Sequence, residues 1–386
     1  MNTRGILHLA PFLQGGAGGA IADLACAQHE LGHQVTVVTS ASGEDADGND
    51  PESLARLREA GVTVYLCDSL VKGHLPLNLQ VLELLRHRVD PDAVDVIHAH
   101  AAAPALIGRL FAGHTARRIP VVQTHHEWGT NRTPDQAASD LAILRDVDRV
   151  IVTSAATRDV LVDQGVPPWT ISVIPYGVSP HVPGAPPIDA LRLLLPARDR
   201  GARVIGCLGP VTTSANQQLI VEALAAVGDL DVVAVLLGEG GEGLMMPAAV
   251  AGVSRRVIAC GGQPDTSRWL PLLDLLVLPS TSEGQGLAVL DAFRAGVPVI
   301  ASNIPPLAQM VQHQKNGFLF QAGDAAALAN VIRAALALPG HEREALTEAA
   351  KLRVVEEYTS DRMVTRHESL YAQLSSVAEC HGPRAH

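Results

Sequence analysis

Two acids eight positions apart, Glu283 and Asp291, bracket a turn that holds Gly284, Gln285 and Gly286. An apolar run of Leu287, Val289, Leu290 and Phe293 follows and Gly296 ends it, the pattern of a helix with glycine at each end. Glycines directly before a helix leave its first N–H groups uncovered at the positive end of the helix dipole, where a phosphate can be held. An acid about a turn and a half further in, where Asp291 falls, can reach a ribose. The same residues also describe an ordinary strand–turn–helix unit whose acids face water.

Histidines form the second group. The segments DVIHAHAAAP and VVQTHHEW put His98, His100, His125 and His126 at the ends of two predicted strands. Histidines there can move protons or bind metal, although lone histidines are more often hydrogen-bonded structure. Neighbours on a strand point to opposite faces, so His125 and His126 cannot share one. A third group is the glycine-rich segment Gln14–Gly19. It fails the dinucleotide fingerprint, because counting from Gly16 the third glycine falls on Ile21 and the second strand ends in Thr39 and Ser40 with no ribose-binding acid. No nicotinamide cofactor is expected.

These groups need elements to position them. Short apolar runs predict strands at 5–10, 34–40, 62–67, 94–98, 119–124, 149–153 and 171–174, with helices near 18–31, 51–60, 78–89, 101–113, 134–146 and 154–164. Four prolines in 180–187 break the pattern as a linker would. Alternation then restarts with strands near 203–208, 231–237, 256–260, 274–278, 298–301 and 317–320. The expected fold is α/β, two doubly wound parallel-sheet, Rossmann-like domains. Ligands of such sheets sit at the carboxyl ends of the strands, so the site is expected in the cleft that the two domains face across.

Composition narrows the partners. A chain of 386 residues suggests two domains, and 47% hydrophobic against 18% charged residues describes a well-buried protein. Aromatics are 3%, so the core should be aliphatic. A net charge of −11 and the lack of any Lys/Arg cluster argue against nucleic acid or an anionic membrane, and a bound phosphate then needs a local site. Five scattered cysteines without zinc spacing read as free thiols in a reducing cytoplasm. The opening apolar run breaks at Pro11 and reads as a strand rather than a signal peptide, and no run is long enough to span a bilayer.

Ser-x-x-Glu-Gly-x-Gly-Leu from Ser280, the acid at Asp291 and Ala-Gly-x-Pro-Val-Ile-Ala-Ser from Ala295 together resemble the donor-site signature, E-x(7)-E, of the retaining GT-B glycosyltransferases of family four. Here the second acid is one methylene short. VIVTSAATRDVL, ISVIPYGV, LLGEGGE and KNGFLF extend the resemblance over nearly the whole chain. It implies an acceptor-side domain over 1–178, a linker at 179–190, a donor-nucleotide domain over 191–358, and a closing helix in 359–386 that crosses back to the first domain. Glu283 and the amides of Gly284, Gln285, Gly286 and Leu287 would hold the donor sugar and phosphates, with Gly15 and Gly16 close to the diphosphate and Asp291 on the ribose. His126 would lie near the transferred sugar with Glu127 beside it, and His98 and His100 would be acceptor-side or structural. No cofactor and no metal are expected beyond the nucleotide-sugar substrate, and a homodimer is left open.

One departure stands out. Where the family opens its second domain with Gly-Arg-Leu-x-x-x-Lys-Gly, this chain has Pro210 and Ala215 in place of the two cations that clamp the diphosphate. A retaining transferase is therefore weighed against a degenerate GT-B protein that binds a nucleotide, or couples or epimerises a sugar nucleotide, without ordinary transfer.

Overall fold

The structure is a computed structural model that describes residues 3–41, 49–67, 75–115, 117–126, 133–179, 184–263 and 265–380. The chain forms two compact units, Met1–Gly177 together with Ser360–His386, and Val178–Thr359.

In the first unit β1 (Gly5–Ala10), β2 (Gln34–Ser40), β3 (Thr63–Cys67), β4 (Val96–Ala99), β5 (Val121–His125), β6 (Arg149–Val152) and β7 (Ile171–Val173) make one sheet in the order β3-β2-β1-β4-β5-β6-β7. Every pairing is parallel, because each strand is reached through a helical crossover. β1, β4 and β5 are buried at every position, as helices on both faces require. The strand order reverses between β1 and β4, the place where such sheets bind ligands.

The second unit repeats the plan with β8 (Arg203–Leu208), β9 (Val232–Leu237), β10 (Val257–Ala259), β11 (Leu275–Leu278), β12 (Val299–Ser302) and β13 (Phe318–Phe320), in the order β10-β9-β8-β11-β12-β13. Alternation along the strands divides its core. Ile205, Leu236 and Val277 pack with Leu224, Leu328 and Ile332 on one face. Val204, Val235 and Leu276 pack with Leu290, Phe293 and Val354 on the other.

Two boundaries differ from expectation. The first helix runs Gly15–Glu30, so Gly15 and Gly16 form its first turn rather than a loop before it. A side chain at Gly18 would put Cβ 2.3 Å from the Leu13 carbonyl carbon, so glycine there lets the helix start directly against the end of the preceding loop. The helix Ile188–Asp199 begins inside the expected linker, directly after Pro187, a residue suited to a helix start; residues 180–183 of that linker lie outside the described ones. Among the described residues no helix is long and apolar enough to cross a membrane.

Candidate functional site

Strand register brings His8, His98, His100 and His126 of the first unit onto one face. His8 of β1 lies opposite His98 of β4, His98 opposite Val122 of β5, and Thr124 opposite Ile151 of β6. Residues two apart share a face, so His100, His126 and Thr153 join this set. The helices Gly15–Glu30 and Ser360–Cys380 supply the cover, and their Ile21, Leu24, Met363 and His367 line, with His98, His100, Thr124, His126 and Thr153, a space of about 20 Å³, close to what one water needs.

The polar groups on this face bond to one another in a continuous series. Tyr176 Oη meets His126 Nδ1, His126 Nε2 lies 3.2 Å from His100 Nδ1, and His100 Nε2 lies 3.1 Å from His8 Nδ1. His8 Nε2 is 2.8 Å from the Gln28 side-chain oxygen, and the Gln28 amide nitrogen donates to Glu368 at 3.1 Å. Arg4 donates in turn to Glu368 at 2.6 Å, and His33 Nε2 lies 3.0 Å from the same carboxylate oxygen. To one side, His98 lies 2.7 Å from Thr124 Oγ1 and 2.7 Å from Tyr371 Oη.

Burial makes these rings neutral. It lowers His8, His126 and His367 to about 4 and takes His98 and His100 well below the usual histidine range, with the neighbouring imidazoles adding to the effect at His98, His100 and His126. Nitrogens of His8, His98 and His100 come within 4.8 Å of one another, a spacing that a zinc ion could use once the proton between His8 and His100 had left. The hydrogen bonds account for all three rings without one.

In the second unit the turn with the two acids lies after β11. Gly286 adopts φ +70°, a left-handed conformation, and a Cβ on it would fall 2.7 Å from Leu307 Cδ2, so glycine is required there. The helix Leu287–Ala295 starts at once, and its third amide, Val289 N, donates to Gly286 O at 2.9 Å. Glu283 is partly buried and accepts from Ser280 Oγ at 3.0 Å, while Gly284 and Gln285 are buried. The loop after β8 lies against this turn, for Thr281 N donates to Ser214 O at 2.7 Å. The Gln217 side chain holds that loop by donating to Pro210 O at 2.8 Å.

Asp291 is bonded within its own helix, to Arg294 at 2.9 Å, and Arg294 also donates to Ser179 O at 2.8 Å. Burial raises the Asp291 carboxyl, Arg294 pulls it back and Asp265 pushes it up. Three more arginines are committed near the amino ends of the strands: Arg198 and Arg203 bond Asp274, and Arg256 bonds the carbonyl of Val232.

The structure thus brings His98, His100 and His126 together in one unit and Glu283, Gly284, Gln285, Gly286, Leu287 and Asp291 together in the other. Glu127 lies outside the described residues. Sequence reading did not single out His8, Gln28, Tyr176, His367, Glu368 or Tyr371. A period-four spacing of Met363, His367 and Tyr371 was a signal for one shared helix face.

Comparison with known proteins bears on both units. Residues 14–182 match the model of Glycosyltransferase Family 4, and residues 202–337 match that of Glycosyl transferases group 1. A D-inositol 3-phosphate glycosyltransferase of Catenulispora acidiphila is 28% identical over 315 residues, 70% of this chain and 73% of that protein. An N-acetyl-alpha-D-glucosaminyl L-malate synthase of Bacillus anthracis is 23% identical over 373 residues, 92% of this chain and 93% of that protein. Among solved structures, Anabaena HepE in complex with UDP and glucose superposes with a TM-score of 0.80 at 19% identity, covering 96% of this chain and 100% of that one. A sucrose-phosphate synthase of Thermosynechococcus elongatus gives 0.80 at 20% identity over 97% and 100% of the two chains. Likeness at this identity establishes the shared fold.

Proposed function

We infer that this chain, in which residues 14–182 match the Glycosyltransferase Family 4 model and residues 202–337 the Glycosyl transferases group 1 model, is a GT-B glycosyltransferase that moves a sugar from a nucleoside diphosphate donor to a small acceptor with retention at the anomeric carbon. The observation that carries this reading is the assembly at the carboxyl end of the second sheet. There Glu283, the Gly284–Gly286 turn and a helix N-terminus lie together, and the loop after β8 packs against them.

Charge develops on the leaving phosphate and on the anomeric carbon during transfer, so catalysis is a matter of positioning and of donors aimed at the phosphate. The amides at the start of Leu287–Ala295 suit the phosphates and Asp291 suits the ribose. In the first unit His126 stands at the end of β5 with some exposure left, and it takes the sugar end; His98 is fully buried and is structural on this reading. Relatives named for D-inositol 3-phosphate and L-malate support a small polar acceptor. Neither cofactor nor metal is required on this reading, so chelation should leave the rate unchanged.

A thermal-shift screen against nucleoside diphosphates and their sugars tests the donor, since a ligand that binds only the folded state raises its apparent stability. NMR of the product then reads the anomeric configuration. An inverted product would refute retention. A second reading draws on Pro210 and Ala215: with no cation on that loop and Arg294 engaged elsewhere, the chain binds the nucleotide without ordinary transfer. Stabilisation by a nucleotide combined with no turnover on any donor would favour it.

A further inference from the structure

The series from Tyr176 to Glu368 has a direction that the chemistry of its last member dictates. A carboxylate only accepts hydrogen bonds, so the Gln28 amide must turn its NH₂ to Glu368 and its oxygen to His8. That oxygen requires a proton on His8 Nε2. Because the ring is neutral, His8 Nδ1 is an acceptor and takes the Nε2 proton of His100. By the same step His100 Nδ1 takes the Nε2 proton of His126, and His126 Nδ1 takes the Tyr176 hydroxyl proton. Reversing the series would set two acceptors against each other, at Gln28 and His8 or at Gln28 and Glu368, all three of them buried, where an unmade bond is costly.

We propose that Glu368, on the helix that returns to the first unit, is a positioning residue that fixes the tautomer and orientation of His126 through Gln28, His8 and His100. The inference rests on the reading that His126 stands at the transferred sugar. Gln28 can donate and accept together but has no proton to release, so the series transmits orientation rather than a proton. Arg4 also donates to Glu368, and His33 lies beside the same carboxylate oxygen.

Long-range ¹H–¹⁵N spectra of histidine-labelled protein at neutral pH distinguish the two neutral tautomers. In the unaltered protein His8, His100 and His126 should each carry the proton on Nε2, by about ten to one or more. Glu368→Gln gives Gln28 a partner that accepts or donates, so the tautomers should mix. On the reading above, kcat should fall about threefold or more while the donor KM stays within about twofold. The double variant Glu368→Gln with Gln28→Glu moves the carboxylate one step along the series, and it should restore both the Nε2 pattern and kcat. A purely structural role for Glu368 would not respond to that exchange.

A proton found on His126 Nδ1 in the unaltered protein would overturn the proposal whether or not any variant folds. So would unchanged tautomers in a folded Glu368→Gln protein. Mixed tautomers with unchanged kcat would support the relay and overturn instead the placing of His126 at the sugar.

Discussion

Tyr371 Oη and His98 Nδ1 lie 2.7 Å apart although the two residues are 273 positions apart in the chain. Both are fully buried, so neither group has water as an alternative partner. Tyr371→Phe keeps the ring and removes the hydroxyl, leaving a buried imidazole nitrogen short of one bond. The expected loss is about 1–3 kcal/mol in urea unfolding, and an unchanged midpoint would show that the bond contributes nothing.

The buried imidazoles give the first unit an acid limit. His8, His126 and His367 titrate at about 4 in the fold, against about 6.5 when unfolded. Below pH about 6.5 the unfolded chain binds more protons, so stability is fully present above that value and falls as the pH drops towards 4. Each histidine contributes at most about 1.4 kcal/mol per pH unit in that window. Urea midpoints measured between pH 6.5 and 5, above the main carboxylate range, should decline. Constant midpoints there would mean that the rings titrate as they do in water.

His126→Ala should lower turnover about tenfold or more, roughly 1.4 kcal/mol of barrier, with little change in nucleotide affinity. Steady-state rates combined with titration calorimetry separate the two effects. Undiminished turnover would remove His126 from the site.

Pro210 is exposed and Ala215 partly so, on a loop whose carbonyls are tied by Gln217 and by Thr281. Pro210→Arg with Ala215→Lys should tighten nucleoside diphosphate binding. At about 1.5–3 kcal/mol for each charged hydrogen bond, the gain reaches about 3–6 kcal/mol when both bonds form. Calorimetry showing no gain in a folded double variant would mean that the loop does not face the phosphates.

The strands could be read from the sequence because each is a short apolar run between polar or helix-breaking residues, as Leu275–Leu278 is between Asp274 and Pro279. The turn at 283–286 was legible for a similar reason, since Gly286 occupies a conformation that other side chains rarely adopt. The histidine face was legible only at its strand ends. His8 sits inside Leu7-His8-Leu9 and reads as one more strand position, and nothing local distinguishes it from a lone core histidine. Gln28, Glu368 and Tyr371 lie on helices whose inward faces are decided by tertiary packing, at sequence separations that periodicity does not address. The start of the first helix was misjudged because glycine is a poor helix former, whereas close approach to Leu13 at Gly18 outweighs that preference.

Because Ser360–His386 belongs to the first unit, with the second unit encoded between its two pieces, the order of synthesis matters. After Gly177 another 191 residues must be made to reach Glu368 (368 − 177) and 194 to reach Tyr371 (371 − 177), which at ribosomal speeds is on the order of 10–40 s. Through that interval the nascent first sheet has His98 without Tyr371, and Gln28 without Glu368. The second unit, continuous in the chain, can complete itself first, so maturation is expected to run inside out, with the earliest-made unit finishing last.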